Sequence, residues 1–570
     1  MVVLGLNHGE INSSAAIIKK GKVLAAAPEE RFNRQKFTKV FPAQASKFCL
    51  KEAGVTLSQC DYVAQAWNPT AHQNVFNPFI SGARIRREDY FYSISDNLFN
   101  LTGRKPQDWV LMQYPKETGL PPVYFIQHHR THAANAFYLS PFKDAAILTA
   151  DYRGEFETIT MCKGSGNKIE VLQKLEIPHS LGMVYAAYTQ LLGYKPDNDE
   201  WKVMALSAYD IDCEKEYQFI RSTLKLTDNG LFELDQGYYK GAHVTQPNIY
   251  TQKLVDGLGG RVGKKGEVAE EWHIRIAKAM QKVSEEVSVH MLTHLHKITG
   301  CDNVVVAGGF FMNSVFNGKI TKDTPFKKVY IPYAPTDAGN SIGAALYVAH
   351  HILDTPRVYQ DHNSDFMGPG YSNQEIEAVL IRRKIKFKKV DNKARAAAEL
   401  LAAGNIVAFF NGRMEFGDRA LGCRSIIGDP RNLAMKDKIN AVIKYREAYR
   451  PFAPSILAER VEEYFEVEKG FTCDYMEKVV PFKEEKKSLV PAVVHFDGSG
   501  RVQTVQKHTN PDYYDIITEF EKITGIPIIL NTSFNINGEP VVLTPDDALN
   551  TFFNSGLEHL FLSDYFISKI

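Results

Sequence analysis

Residues 2–26 read VVLGLNHGEINSSAAIIKKGKVLAA. The apolar run Val2 to Leu6 gives way to small polar residues, resumes at Ser14-Ala15-Ala16-Ile17-Ile18, turns, and starts again at Val23-Leu24-Ala25-Ala26. That is strand, turn, strand, turn, strand start. The arrangement recurs after Ala145–Ala150, where Asp151-Tyr152-Arg153-Gly154-Glu155 makes the turn into Thr158-Ile159-Thr160-Met161. Two β-turn-β units with polar tips point to an internal duplication.

Downstream, between Glu267 and Thr299, Ile276, Met280, Val283, Val287 and Met291 recur at three- and four-residue spacing among charges. The pattern predicts a long amphipathic helix ended by Gly300. A buried strand, Val304-Val305-Val306-Ala307, then runs into Gly308-Gly309, so backbone without side chains lies at the strand's carboxyl end, where ligands of open α/β sheets bind. Residues 354–372 are rich in Pro, Gly, Asp, Asn and Ser without periodicity, which marks a domain boundary. Beyond it the pattern restarts with a helix over 394–403, capped by Gly404, and a strand over 406–410. The 570 residues exceed what one core usually serves, so two domains are expected.

Composition narrows the partners. The 67 basic and 66 acidic residues leave a net charge of +1, so nothing global draws the chain to nucleic acid or to a membrane surface, and any phosphate binding is local. Seven scattered cysteines, none in a CxxC spacing, argue against a disulfide framework or a thiolate zinc site and suit the reducing cytoplasm. Neither a signal peptide nor an apolar run of about 18 residues is present.

Five stretches carry chemistry. In Gln127-His128-His129-Arg130-Thr131-His132, His128 and His132 fall on one face of a helix at metal-ligand spacing; a polar helix face without metal has the same pattern. Asp337, where an apolar strand meets a small-residue helix, could complete such a site or serve as an N-cap. Asp151, at its turn tip, reads either as a ligand of phosphate-bound magnesium or as an ordinary turn aspartate. In the second domain, Arg419, Arg424, Lys444, Arg446 and Arg450 lie among Gly, Pro and aromatic residues rather than along a helical stripe. Guanidinium forks match phosphate oxygens, so the group reads as a clamp for a polyphosphate or acyl phosphate, against the alternative of a solvated basic face. The strand Pro527–Leu530 leads to Asn531-Thr532-Ser533-Phe534-Asn535, whose amide and hydroxyl groups could fix a planar polar substrate or simply make a turn.

Taken together, GLNHGEINSSAA (5–16), PEERFNRQKF (28–37), QHHRTHAA (127–134), HSLGMVYAAYTQLLGY (179–194), EWKVMALSAY (200–209), AGGFFMNSVFNG, APTDAGNSIGAA, EFGDRALGCRSI, YREAYRPFAPSI and ILNTSFNINGEPVV resemble, in order, the carbamoyltransferases of the nodulation protein U, cephamycin and tobramycin type. The resemblance implies an α/β protein in two parts. The first, 1–355, would be an actin/sugar-kinase-like domain similar to the tRNA threonylcarbamoyl-transferring protein; the second, 370–570, a YrdC-like domain. It implies that the second domain forms carbamoyl adenylate from ATP and carbamoyl phosphate, through Arg419, Lys444, Arg446, Arg450, Arg501, Asn531 and Ser533, with Arg424 beside them. The first would pass the carbamoyl group to a hydroxyl of a sugar-like or natural-product molecule. There His128, His132 and Asp337 would hold iron(II) or another divalent transition metal, Asp151 would lie near the adenylate phosphate, and Gly308, Gly309 and Asn313 would hold the adenosine. Magnesium would accompany ATP. No nucleic-acid or membrane partner is expected, and a homodimer is among the assemblies left open.

One departure stands out. Most relatives read His-Asp-Ser-Ala-Ala near the first hairpin, where this chain has Asn12-Ser13-Ser14-Ala15-Ala16. Two ionisable groups are gone, so a base used there must come from elsewhere or the acceptor differs. Two rival readings remain: carbamoyl transfer of the tRNA or hydrogenase type, and a nucleotide-binding regulator without chemistry.

Overall fold

A computed structural model describes residues 1–9, 11–71, 108–240, 247–359, 364–447 and 449–569. The chain divides into two compact units, one of residues 1–26 and 39–361, the other of residues 27–38 and 362–570. Of the Pro/Gly-rich stretch 354–372, residues 360–363 lie outside the described residues.

In the first unit the duplicated pattern becomes two sheets of matching topology. The first comprises β1 (Val2–Asn7), β2 (Ser14–Lys19), β3 (Lys22–Pro28), β4 (Tyr62–Gln65), β5 (Trp109–Met112) and β6 (Val123–Ile126), in the order β3-β2-β1-β4-β6-β5. The second starts with β7 (Asp144–Ala150), β8 (Glu157–Ser165) and β9 (Lys168–Glu176). A separate two-stranded ribbon follows, β10 (Leu224–Leu226) with β11 (Phe232–Leu234), before β12 (Asn303–Ala307) and β13 (Lys328–Tyr330) complete the sheet as β13-β12-β7-β8-β9. In each sheet the first strand pairs antiparallel with its hairpin neighbour and parallel with a later strand: β1 with β2 and β4, β7 with β8 and β12. This repeated order is that of the actin/sugar-kinase fold. The long helix runs Glu271–Thr299, its apolar stripe buried, and ends on Gly300 in the left-handed region.

What joins the two sheets is a helix made mostly of small residues. All of Asn340–Leu346 is buried, packed on β1, β2 and β4 on one side and on the His128–Leu139 helix on the other. A Cβ at Gly343 would collide with the Thr131 carbonyl, one at Gly5 with the Ser341 carbonyl, and one at Gly339 with the Ala334 carbonyl. Backbone therefore touches backbone at three points, which only glycine permits. At the far end of the His128–Leu139 helix, Arg357 donates to the carbonyls of Phe137, Phe142 and Ser140, a cation where the helix leaves carbonyls without partners.

The second unit is a mixed open sheet with helices, α/β as expected. Its strands are β14 (Lys388–Lys389), β15 (Val407–Phe410), β16 (Arg424–Gly428), β17 (Ala453–Leu457), β18 (Val479–Pro481), β19 (Ser499–Arg501), β20 (Gln503–Val505), β21 (Ile528–Ser533), β22 (His559–Leu562) and β23 (Tyr565–Ser568). Eight form the main sheet, β14-β23-β22-β15-β16-β21-β17-β20, and β18 pairs with β19. Residues 27–38, early in the chain, belong to this unit. Phe32 packs on Met414, Val541 and Leu543, Arg31 donates to the Gly417 carbonyl, and Arg34 donates to the carbonyls of Val541 and Pro540. Sequence proximity put this segment with its neighbours; an aromatic and two arginines anchor it elsewhere.

Gly343→Val should lower stability by about 3 kcal/mol, because the added methyls meet backbone that cannot yield. Gly300→Ala, which only strains a helix cap, should cost about 1 kcal/mol. Thermal denaturation of the two variants checks the ranking.

Candidate functional site

The squeezed helix delivers one ligand and its partner helix two. His128 opens the His128–Leu139 helix and His132 follows one turn later, so the rings lie side by side, centroids 4.6 Å apart. Asp337 begins the turn that leads into Asn340–Leu346, and Asp151 follows the last residue of β7. All four side chains converge. The two Nε2 atoms are 3.0 Å apart; Asp151 Oδ2 is 2.9 Å from His132 Nε2 and 3.3 Å from His128 Nε2; Asp337 Oδ1 is 3.4 Å from each. Donors held at about 2.1 Å from a single ion stand about 3.0 Å apart at a right angle and about 3.4 Å at the tetrahedral angle, so the observed separations suit a divalent transition metal. Two imidazoles with two carboxylates is also a donor set for iron, zinc or manganese rather than for magnesium.

The electrostatics point the same way. Burial disfavours a charged His128, yet Asp337 and Asp151 outweigh it and raise its pKa to about 9. Burial favours a neutral Asp151, yet the two histidines hold its carboxyl well below the usual range. The pocket favours positive charge. His129 points away, bonded through Nδ1 to Thr149, and burial together with its two histidine neighbours keeps it neutral.

Sequence reasoning assigned the histidines and Asp337 to a metal but Asp151 to a phosphate; the structure puts Asp151 in the same ligand group. Gly308 and Gly309 are accounted for by this packing. A Cβ on Gly308 would strike the Ala150 backbone, and one on Gly309 would meet Asp151 Oδ1. Asn313 is committed to a mutual amide pair with Gln281 and caps Ser314–Asn317, so its amide is already paired.

The second unit gathers the predicted cations. Burial, then Arg419, Arg446 and Arg450, hold the Arg501 guanidinium well below its usual pKa. Burial, then Arg450, push Arg446 down to about 9. Burial, then Arg446, Arg450 and Lys36, push Lys444 down well below the ordinary lysine value. Neighbouring cations push down all three, an arrangement whose charge suits an anion. Among the described residues, Glu447 lies 3.4 Å from Arg450, and Asp418 lies beside Arg419. The Lys444 ammonium donates to the Ser533 carbonyl at 2.5 Å and to Asn535 Oδ1 at 2.8 Å, so Ser533 belongs to the same locale. Asn531 donates to Ala420 O and Gln503 Oε1, which leaves its buried Oδ1 without a partner among the described residues.

One member does not belong. Arg424 is fully buried, stacked 3.6 Å over Phe410, and donates to the carbonyls of Asn411, Cys423, Pro369 and Gly412. It is committed to the core, and its guanidinium has no fork left for a phosphate. One residue had no sequence signal: Lys36, which comes from residues 27–38.

Purified chain should bind roughly one Fe(II) or Co(II) per molecule, and His132→Ala or Asp337→Ala should abolish this, read as the cobalt visible spectrum. Inorganic phosphate or pyrophosphate should raise the melting temperature by relieving the cation repulsion. Arg501→Ala should weaken ATP binding about 10- to 100-fold, the loss of one charge-assisted contact, as titration calorimetry would show.

Comparison with known proteins identifies the chain's kin. Residues 3–346 match the family model Carbamoyltransferase N-terminus, and residues 398–569 match Carbamoyltransferase C-terminus. An uncharacterized protein of Synechocystis sp., sll1178, is 35% identical over all of this chain and 96% of its own length. Nodulation protein NolNO of Sinorhizobium fredii is 34% identical over 98% of this chain and 79% of its own. Among solved structures, full-length HypF aligns at 12% identity over 60% of this chain and 54% of that one, with a TM-score of 0.29. With both halves matched in order, the chain belongs to the carbamoyltransferase family.

Proposed function

We propose that the chain is an ATP-dependent O-carbamoyltransferase acting on a hydroxyl of a sugar-like or natural-product small molecule. In this reading, residues 370–570 use ATP and carbamoyl phosphate to make carbamoyl adenylate, and residues 1–355 transfer the carbamoyl group. The observation that carries it is the gathering of Arg419, Lys444, Arg446, Arg450 and Arg501, Lys444 buried and the arginines half-buried, with Lys444, Arg446 and Arg501 each held down by cationic neighbours. Keeping such a set has a stability cost, which an anionic substrate offsets. The phosphates of ATP with its magnesium, and of carbamoyl phosphate, have the charge to do so.

The chemistry balances as follows. Water takes the phosphoryl group of carbamoyl phosphate, leaving carbamate and inorganic phosphate. A carbamate oxygen then attacks the α-phosphorus of ATP, and pyrophosphate leaves. Arginines on the phosphate oxygens neutralise the charge that would repel the carbamate. The free Oδ1 of Asn531 suits the carbamoyl NH2, a group that needs an acceptor. In the first unit, His128, His132, Asp151 and Asp337 would hold the metal, which when bound supplies Lewis acidity toward an adenylate or carbamoyl oxygen. Gly308 and Gly309 keep side chains out of the space beside Asp151, so an adenylate could lie close to the backbone there.

Exchange of labelled pyrophosphate into ATP, dependent on carbamoyl phosphate, separates the two halves of the reading. Arg450→Ala should lower exchange at least about 100-fold, while His132→Ala should leave it near wild type. Equal loss in both variants would contradict the division of labour.

A further inference from the structure

The mechanism above lacks a group to take the proton from the acceptor hydroxyl. The first hairpin offers none at Asn12 or Ser13. Asn12 is an amide held at φ 58°, its carbonyl accepting from Asn7 Nδ2, and Ser13 is a buried hydroxyl. The hairpin does carry an imidazole five residues before Ser13, at His8.

His8 stands at the right edge of the sheet. β1 and β4 run parallel with Leu6 opposite Gln65, so their carboxyl ends lie together, where α/β sheets bind ligands. His8 lies two residues past Leu6, and Trp67 two residues past Gln65. The His8 side chain bonds to Gln65, and its ring meets Phe41 edge-on at 5.3 Å. Trp67, half-exposed, packs edge-on against the metal-cluster residue His128 at 5.6 Å. The next residue, Asn68, donates its N–H to Glu155, whose carboxylate also accepts the His128 N–H. From the other end of the turn, Ser14 donates to the carbonyl of Ala338, neighbour of Asp337. The hairpin and the end of β4 are thus each tied to the metal cluster, and His8 and Trp67 follow the carboxyl ends of these two neighbouring strands. Burial also lowers the His8 pKa, so the ring is neutral and able to accept a proton at neutral pH.

We infer that His8 is the general base of carbamoyl transfer, deprotonating the acceptor alcohol beside Trp67. The inference rests on the proposed function. The alcohol O–H proton passes to an imidazole nitrogen, the oxygen forms a bond to the carbamoyl carbon, the bond from that carbon to the phosphate oxygen breaks, and AMP leaves. His8 is half-exposed, so the proton then leaves to water. General-base assistance of this kind is worth about 100-fold or more.

The test uses the full chain with iron(II), ATP, magnesium and carbamoyl phosphate, with glycerol as probe alcohol. Carbamoyl adenylate formed and carbamoyl glycerol plus carbamate released are followed together by mass spectrometry. His8→Gln, which keeps a hydrogen-bonding partner for Gln65, should form the adenylate at the wild-type rate but discharge it about 100-fold more slowly. In His8→Ala, added imidazole should restore part of the discharge, which a structural role would not allow. Metal content should be unchanged in both. Wild-type discharge in His8→Gln, or no imidazole rescue, overturns the inference alone; absence of adenylate from the wild-type chain overturns the proposed function and this step with it.

Discussion

The first unit depends on one tight contact, that of the Asn340–Leu346 helix with backbone on both of its faces. Because Gly5, Gly339 and Gly343 carry no Cβ, a strand of the first sheet, this helix and the His128–Leu139 helix stack without a layer of side chains between them. Interiors packed this closely do not absorb even one methyl group cheaply. The same closeness makes the chemistry. Asp337, at the head of the squeezed helix, is brought within 3.4 Å of both imidazoles, and β7 supplies Asp151 from the second sheet. Four ligands from three separate stretches of chain meet because the backbone between them has no room to drift.

The second unit follows a different logic, of charge rather than of packing. Buried like charges cost free energy, and a fold that keeps four arginines and a lysine within one another's influence does so against its own stability. Among the described residues, Glu447 faces Arg450 and Asp418 lies beside Arg419. Arg424 shows the contrast. Where an arginine serves the fold, its forks are spent on four carbonyls and its face on an aromatic ring.

Much of this was legible in the sequence where local rules apply. The duplicated hairpins, the Glu271–Thr299 helix with its Gly300 cap, and the pairing of His128 with His132 follow from periods of two and 3.6, which neighbours along the chain decide. Asp337 could be placed at a strand-to-helix junction, although not told from a cap. What escaped was tertiary. Asp151 looks like a turn residue until β7 is set beside the histidines. Gly308 and Gly309 looked like space for a ligand and prove also to be space for Ala150 and Asp151. Lys36 lies far in sequence from Lys444, and no periodicity links them. Arg424 was grouped with its neighbours because stacking on Phe410 leaves no mark on a charge pattern, and the amide pair of Asn313 with Gln281 is likewise invisible before folding.

The account stands on the adenylate. Mass-spectrometric detection of carbamoyl adenylate, after mixing the purified chain with ATP, magnesium and carbamoyl phosphate, tests it most directly. The predicted result is a carbamoyl adenylate that requires both substrates and disappears in Arg450→Ala. A folded wild-type chain that binds ATP and carbamoyl phosphate yet forms no adenylate, with or without iron(II), would contradict it.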